Sequence, residues 1–164
     1  MKIYTIGTST RQLEKFLDVL KHYEIKMIVD VRRWPSSKRY PWFNKDTLSE
    51  SLRSEGIDYL HYPELGGYRK EGYVNFAKSD DFDRALGMLV ETIDDKTVAI
   101  MCAELLWFRC HRRYIAQSLV KNDHEVIHIF DKERTQKHKL LDKDVKEKMS
   151  LVIWCDKRAE KNKK

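Results

Sequence analysis

Apolar positions along the first 130 residues follow two periods in turn. Five short runs have strand length: IYTI (3–6), MIVDV (27–31), IDYLHY (57–62), TVAIMC (97–102) and EVIHIF (125–130). Between them the spacing becomes helical. Leu13, Phe16, Leu17 and Leu20 share one face, and Ser9 with Gln12 three residues later reads as a capping box before them. A short helix is predicted over 46–54, with Leu48 and Leu52 inward and Gly56 closing it. Phe82, Leu86, Leu89, Val90 and Ile93 mark a longer helix capped by Ser79, and Ile115, Leu119 and Val120 mark one around 111–121. Alternation of this kind predicts an α/β fold: a mostly parallel sheet of about five strands with helices on both faces, in three layers. TVAIMC is apolar throughout, as a strand covered on both faces would be.

Ligands of such sheets sit beyond the carboxyl ends of the strands, so the segments after the strands carry most weight. They are GTST (7–10), RRWPSSKRYPWFN (32–44), PELGGYRKEG (63–72) and AELLWFRCHR (103–112). In the last, Cys102 ends a strand and Cys110 stands at a helix start, where free N–H groups and the helix dipole favour a thiolate and bind anions. Arg112 and Arg113 place cations in that helix's first turn, which is unfavourable unless an anion neutralises them. Glu104 and His111 are the nearest candidate proton carriers. Residues 30–44 interleave four cations with four aromatics and hold no acid after Asp30. That pattern suits phosphates and stacked bases, with Asp30 orienting Arg32 and Ser36 donating a further hydrogen bond. Ser9 offers a hydroxyl before a helix, and Gly66 and Gly67 permit a positive φ or a close backbone approach.

Some chemistries fail on spacing. A phosphatase-type loop needs an arginine six residues after its cysteine, but Phe108 stands there and Arg109 comes one place late. GTST lacks the lysine and glycines of a P-loop. Cys102, Cys110, His111, His124 and His128 form no zinc knuckle, so no metal and no cofactor are expected.

Composition narrows the class. The chain has 164 residues, 41% hydrophobic and 35% charged, enough for one core-bearing domain and too apolar for wholesale disorder. No apolar run is long enough to cross a membrane, and the start lacks the apolar stretch of a secretory signal. Three widely spaced cysteines make no disulfide framework, which fits a reducing cytoplasm. Residues 131–164 hold 12 Lys/Arg against 7 Asp/Glu, whereas residues 1–130 hold 20 against 19, so the net +6 is mostly a property of the tail. We therefore expect a single α/β domain over 1–130. Residues 131–164 form a charged extension that packs on it or trails from it, with LVIW (151–154) unplaced and Cys155 incidental.

TIGTST, DVRRWPSS, YLHYPELGG and MCAE…CHR, in this order, resemble the family catalogued as domain of unknown function 488. The resemblance runs over about residues 2–130 and implies a small cytoplasmic α/β protein of prokaryotic type, without delivering a reaction. The matching motif positions are Gly7, Ser9, Asp30, Arg32, Pro35, Ser36, Leu65, Gly66, Gly67, Cys102, Glu104, Cys110, His111 and Arg112. Thr8 and Trp107 depart from the pattern, standing where the family often has histidine and proline.

These residues predict a crevice that binds a phosphorylated ligand, either a nucleotide or nucleic acid. Ser9, Asp30, Arg32, Ser36, Gly66, Gly67 and Arg112 would form the binding side, with Arg32 and Arg112 pairing phosphate oxygens. Cys102, Glu104, Cys110 and His111 would form the catalytic side of a thiol-dependent hydrolase or transferase. Two alternatives stand beside this: a non-catalytic nucleic-acid-binding module using the 32–44 loop and the tail, and a redox or metal-sensing protein. Oligomeric state is not legible in the sequence.

Overall fold

The computed structural model describes residues 1–93 and 95–141. The strands are β1 (Lys2–Gly7), β2 (Met27–Asp30), β3 (Asp58–His61), β4 (Val98–Cys102), β5 (Glu125–Ile129) and β6 (Thr135–Lys137). The helices are α1 (Leu13–His22), α2 (Lys45–Ser54), α3 (Tyr73–Phe76), α4 (Asp80–Thr92) and α5 (Arg112–Lys121), with short 3-10 turns at Pro41–Phe43, Pro63–Leu65 and Trp107–Arg109. The sheet order is β3-β2-β4-β1-β5-β6. All pairings are parallel except that of β5 with β6.

Each face of the sheet has its own core. On one, Phe16, Val19 and Leu20 of α1 and Leu48 and Leu52 of α2 close over Ile6, Ile28, Ala99, Met101 and Ile129. On the other, Phe82, Leu86, Leu89 and Ile93 with Ile115, Ala116 and Leu119 close over Ile3, Met27, Val29, Val98, Ile100 and Val126. β4 is buried at every position, as its unbroken apolar run requires. The connections leaving β1 and β2 run over the α1–α2 face, whereas the connection leaving β4 runs over the other. β4 lies between β1 and β2, so the chain parts to opposite faces at its end and opens a crevice there.

Two local expectations change. The sheet has six strands, not about five, because β6 is a three-residue, fully exposed edge strand with no apolar alternation to betray it. The sheet thus extends past residue 130 into the segment read as a charged extension. The Ser9–Gln12 capping box does not form. Gln12 is the N-cap of α1 without a side-chain hydrogen bond, and Ser9 sits at φ 51 with its N–H donated to Ala103 O at 2.8 Å. Ser79 does cap α4, accepting from Phe82 N–H at 3.2 Å, and Gly56 follows α2 at φ 71. LVIW and Cys155 lie outside the described residues. No helix among those described is long and apolar enough to cross a membrane.

Candidate functional site at the strand ends

β1 runs on past its last sheet residue alongside the end of β4. Thr8 N–H donates to Cys102 O and Ser9 N–H to Ala103 O, both at 2.8 Å. Gly7 makes this approach feasible, since a Cβ there would run into the Glu104 carbonyl. Above these strand ends lies a half-open cavity of about 640 Å³. Thr8, Ser9, Arg32, Ser36, Gly67, Cys102, Glu104 and His111 line it, together with Arg33, Trp34 and Tyr68. Of the expected site residues, Asp30, Gly66, Cys110 and Arg112 stand behind its wall.

The cationic side is built from β2 outward. Asp30 is fully buried and holds Arg32 bidentately, Nε to Oδ1 at 2.9 Å and Nη2 to Oδ2 at 2.7 Å. Tyr59 O–H donates to the same carboxylate at 2.6 Å, and Arg32 Nη2 also donates to Phe43 O at 2.8 Å. Beside the acid, desolvation and the Asp30 charge together raise the Tyr59 hydroxyl far above its ordinary range. The guanidinium is therefore fixed in direction with its Nη1 donors unspent, and those donors belong to a residue of the cavity wall. Thr8 is 3% exposed, lines the same cavity, and makes no hydrogen bond through its hydroxyl. The Ser9 and Ser36 hydroxyls are likewise unspent.

The thiol side is built from β4 and the start of α5. Cys102, Cys110 and His111 bring two sulfurs and a ring nitrogen within 4.8 Å of one another. Cys110 Sγ accepts Arg112 N–H at 3.5 Å and Arg112 Nε–H at 3.4 Å, and lies 3.7 Å from His111 Nδ1. The hydrogen bond from Cys102, helped by His111 and the Arg112 charge, holds the Cys110 thiol well below its ordinary range against the opposing effect of burial. Cys102, hydrogen-bonded to that sulfur and buried, is held above its own range. Of the two linked thiols Cys110 is thus the more acidic, and its sulfur is the group that Arg112 faces in the first turn of α5.

Arg112 is 1% exposed and fully engaged. Besides Cys110 it donates to Thr5 Oγ1 at 3.5 Å and to the Glu104 and Leu105 carbonyls. It is not among the residues that line the cavity, and its guanidinium lies against the Cys110 sulfur. Glu104 Oε1 accepts Leu106 N–H at 3.0 Å, which folds the loop after β4. His111 packs on Gly67, where a Cβ would stand 2.9 Å from Nδ1, and against the Tyr73 ring at 5.0 Å. Among the described residues its Nε2 is the one buried side-chain nitrogen or oxygen with no hydrogen-bond partner. Gly66 has φ −64, so close packing under Arg33, not a left-handed turn, explains that glycine.

The sequence reading passed over three participants. Tyr59 alternates with apolar neighbours like any strand residue, and Tyr73 sits in a four-residue helix too short for periodicity to mark. Tyr68 follows the glycine pair and shows only as an aromatic among polar residues. His61, at the end of β3, pairs through Nε2 with the backbone oxygen of Arg32 at 2.8 Å.

Comparison with curated proteins returns no match, and comparison with solved structures returns none either. The family described as domain of unknown function DUF488 matches residues 12–119, well over half the chain and spanning α1 through most of α5, and the chain therefore belongs to that family.

Proposed function

We propose that the cavity binds a phosphorylated ligand and that the Cys102–Cys110 pair performs thiol-dependent chemistry on it, as a hydrolase or transferase. The observation that carries the reading is a pair of unspent donors on the cavity floor. Arg32 and Thr8 are 7% and 3% exposed, yet the Nη1 group of one and the hydroxyl of the other have no partner in the protein. Both donors open onto the cavity, and a guanidinium anchored by a carboxylate is pre-set for a second oxyanion. Ser9, Ser36 and exposed Arg33 line the same space. Cys102, which lines the floor, is the nucleophile. As its sulfur bonds to the ligand its proton passes to the Cys110 thiolate, and the displaced group leaves with the bonding electron pair.

The test is calorimetric titration with inorganic phosphate and with a phosphorylated sugar. The native protein binds both; Asp30→Asn with Arg32→Gln, which keeps hydrogen-bonding capacity but removes the charges, loses at least about tenfold in affinity. Equal affinity in the two proteins would overturn the reading. A second reading has one observation behind it: two sulfurs and an imidazole nitrogen within 4.8 Å suit a three-ligand divalent-cation site with an open fourth position. Stoichiometric zinc in purified protein favours that reading; metal-free protein with reactive thiols favours the first.

A further inference from the structure

Resting on the phosphate reading above, we infer that the ligand is a nucleoside phosphate whose base stacks on Trp34 and Tyr68 at the mouth of the cavity. The loop at 34–43 carries four aromatics, and three are accounted for by packing. Phe43 is 1% exposed, Trp42 donates through Nε1 to Arg11 O at 3.0 Å, and Tyr40 lies edge-on to Trp42 at 5.7 Å. Trp34 is the exception, 64% exposed. Its neighbour is Tyr68 from the loop after β3, 76% exposed, with ring centroids 5.4 Å apart and planes inclined at 55°. Both line the same cavity as Arg32 and Thr8.

Three features separate this pair from aromatics left outside by chance. Arg33 ties the two loops together, donating from Nη1 to Tyr68 O at 3.1 Å, while its guanidinium lies 5.6 Å from the Trp34 ring centroid. Tyr68 holds φ 60, an unfavourable conformation for an aromatic residue. The rings are too inclined to satisfy one another by parallel stacking, so each leaves an aromatic face to water. An aromatic corner beside fixed cations matches a planar base joined through a sugar to a phosphate, the combination used in base-stacking sites. The phosphate meets Arg32 and Thr8 on the floor and the base meets the rim.

The probes are inorganic phosphate, ribose 5-phosphate, a nucleoside 5′-monophosphate and a short 5′-phosphorylated oligothymidylate, titrated by calorimetry. The mononucleotide is expected to bind at least about tenfold tighter than ribose 5-phosphate. In Trp34→Ala/Tyr68→Ala, which alters two exposed side chains, that advantage disappears while the affinity for inorganic phosphate is unchanged. An oligonucleotide tighter than the mononucleotide, with affinity falling steeply in salt, identifies a strand end as the source. Equal affinities identify a free nucleotide; either result supports base stacking. Phosphate binding with no gain from the base overturns this inference alone. Failure of every phosphate to bind overturns the reading it rests on as well.

Discussion

At the residue scale the site is organised by two buried arginines with opposite duties. Arg32 spends three donor contacts on Asp30 and Phe43 and keeps one nitrogen for the cavity, whereas Arg112 spends everything on Cys110, Thr5 and two carbonyls. Both were legible as cations after strands, but their roles were not, because a sequence shows a charge without showing what has already neutralised it. Asp30→Ala leaves the Arg32 charge buried and unpaired, and is expected to cost about 3–5 kcal/mol in urea unfolding. Asp30→Asn with Arg32→Gln restores most of that loss, since no charge is then stranded. A single Asp30→Ala protein as stable as the native one would show that the pair is not the anchor described.

At the element scale, function depends on how β1 and β4 end together. Gly7 lies in the final β1–β4 pairing opposite Cys102, and the loop after β4 crosses directly above it. Gly7→Ala is expected to push that loop outward and to lower stability by about 1–3 kcal/mol, measured by urea unfolding. The native midpoint in that variant would contradict the close approach. Five strands and four of the helices were readable because each pairs a clear apolar period with a recognisable start or stop, as Ser79 and Gly56 illustrate. What escaped was short or polar: β6 has three exposed residues, and α3 has four residues in all. Ser9 misled as a cap because its N–H is claimed by Ala103, a contact 94 residues away in sequence that no local pattern records.

At the scale of the whole molecule, a buried chain of side chains links the thiol site to the last hairpin. Arg112 meets Thr5, Thr5 meets His128 at 2.7 Å, His128 Nε2 meets His138 Nδ1 at 3.0 Å, and His138 Nε2 meets Gln117 at 2.8 Å, with Trp107 stacked on His128. Burial, then the His138 and Arg112 charges, pushes the His128 pKa down to about 3, and burial lowers His138. Both pKa values are lowered in the fold and lie near 6.5 in the unfolded chain, so the unfolded state binds more protons below that value. Stability is therefore full above about pH 6.5 and declines as the pH falls towards 3, by up to about 1.4 kcal/mol per pH unit for His128. Urea midpoints at pH 7.5 and 5.5 check this: a lower midpoint at 5.5, and a smaller difference in His128→Gln, are expected, whereas equal midpoints would contradict it. A crevice at the strand ends was foreseeable from the alternation of strands and helices, but the closeness of Cys102 and Cys110 was not. Seven residues separate them, and only the folded loop brings their sulfurs together. The most direct test of the whole account is alkylation of Cys102 and Cys110 across pH, followed by peptide mass spectrometry, with and without inorganic phosphate. The account predicts that phosphate slows the alkylation of Cys102, the thiol on the cavity floor; alkylation of both thiols that ignores phosphate would contradict it.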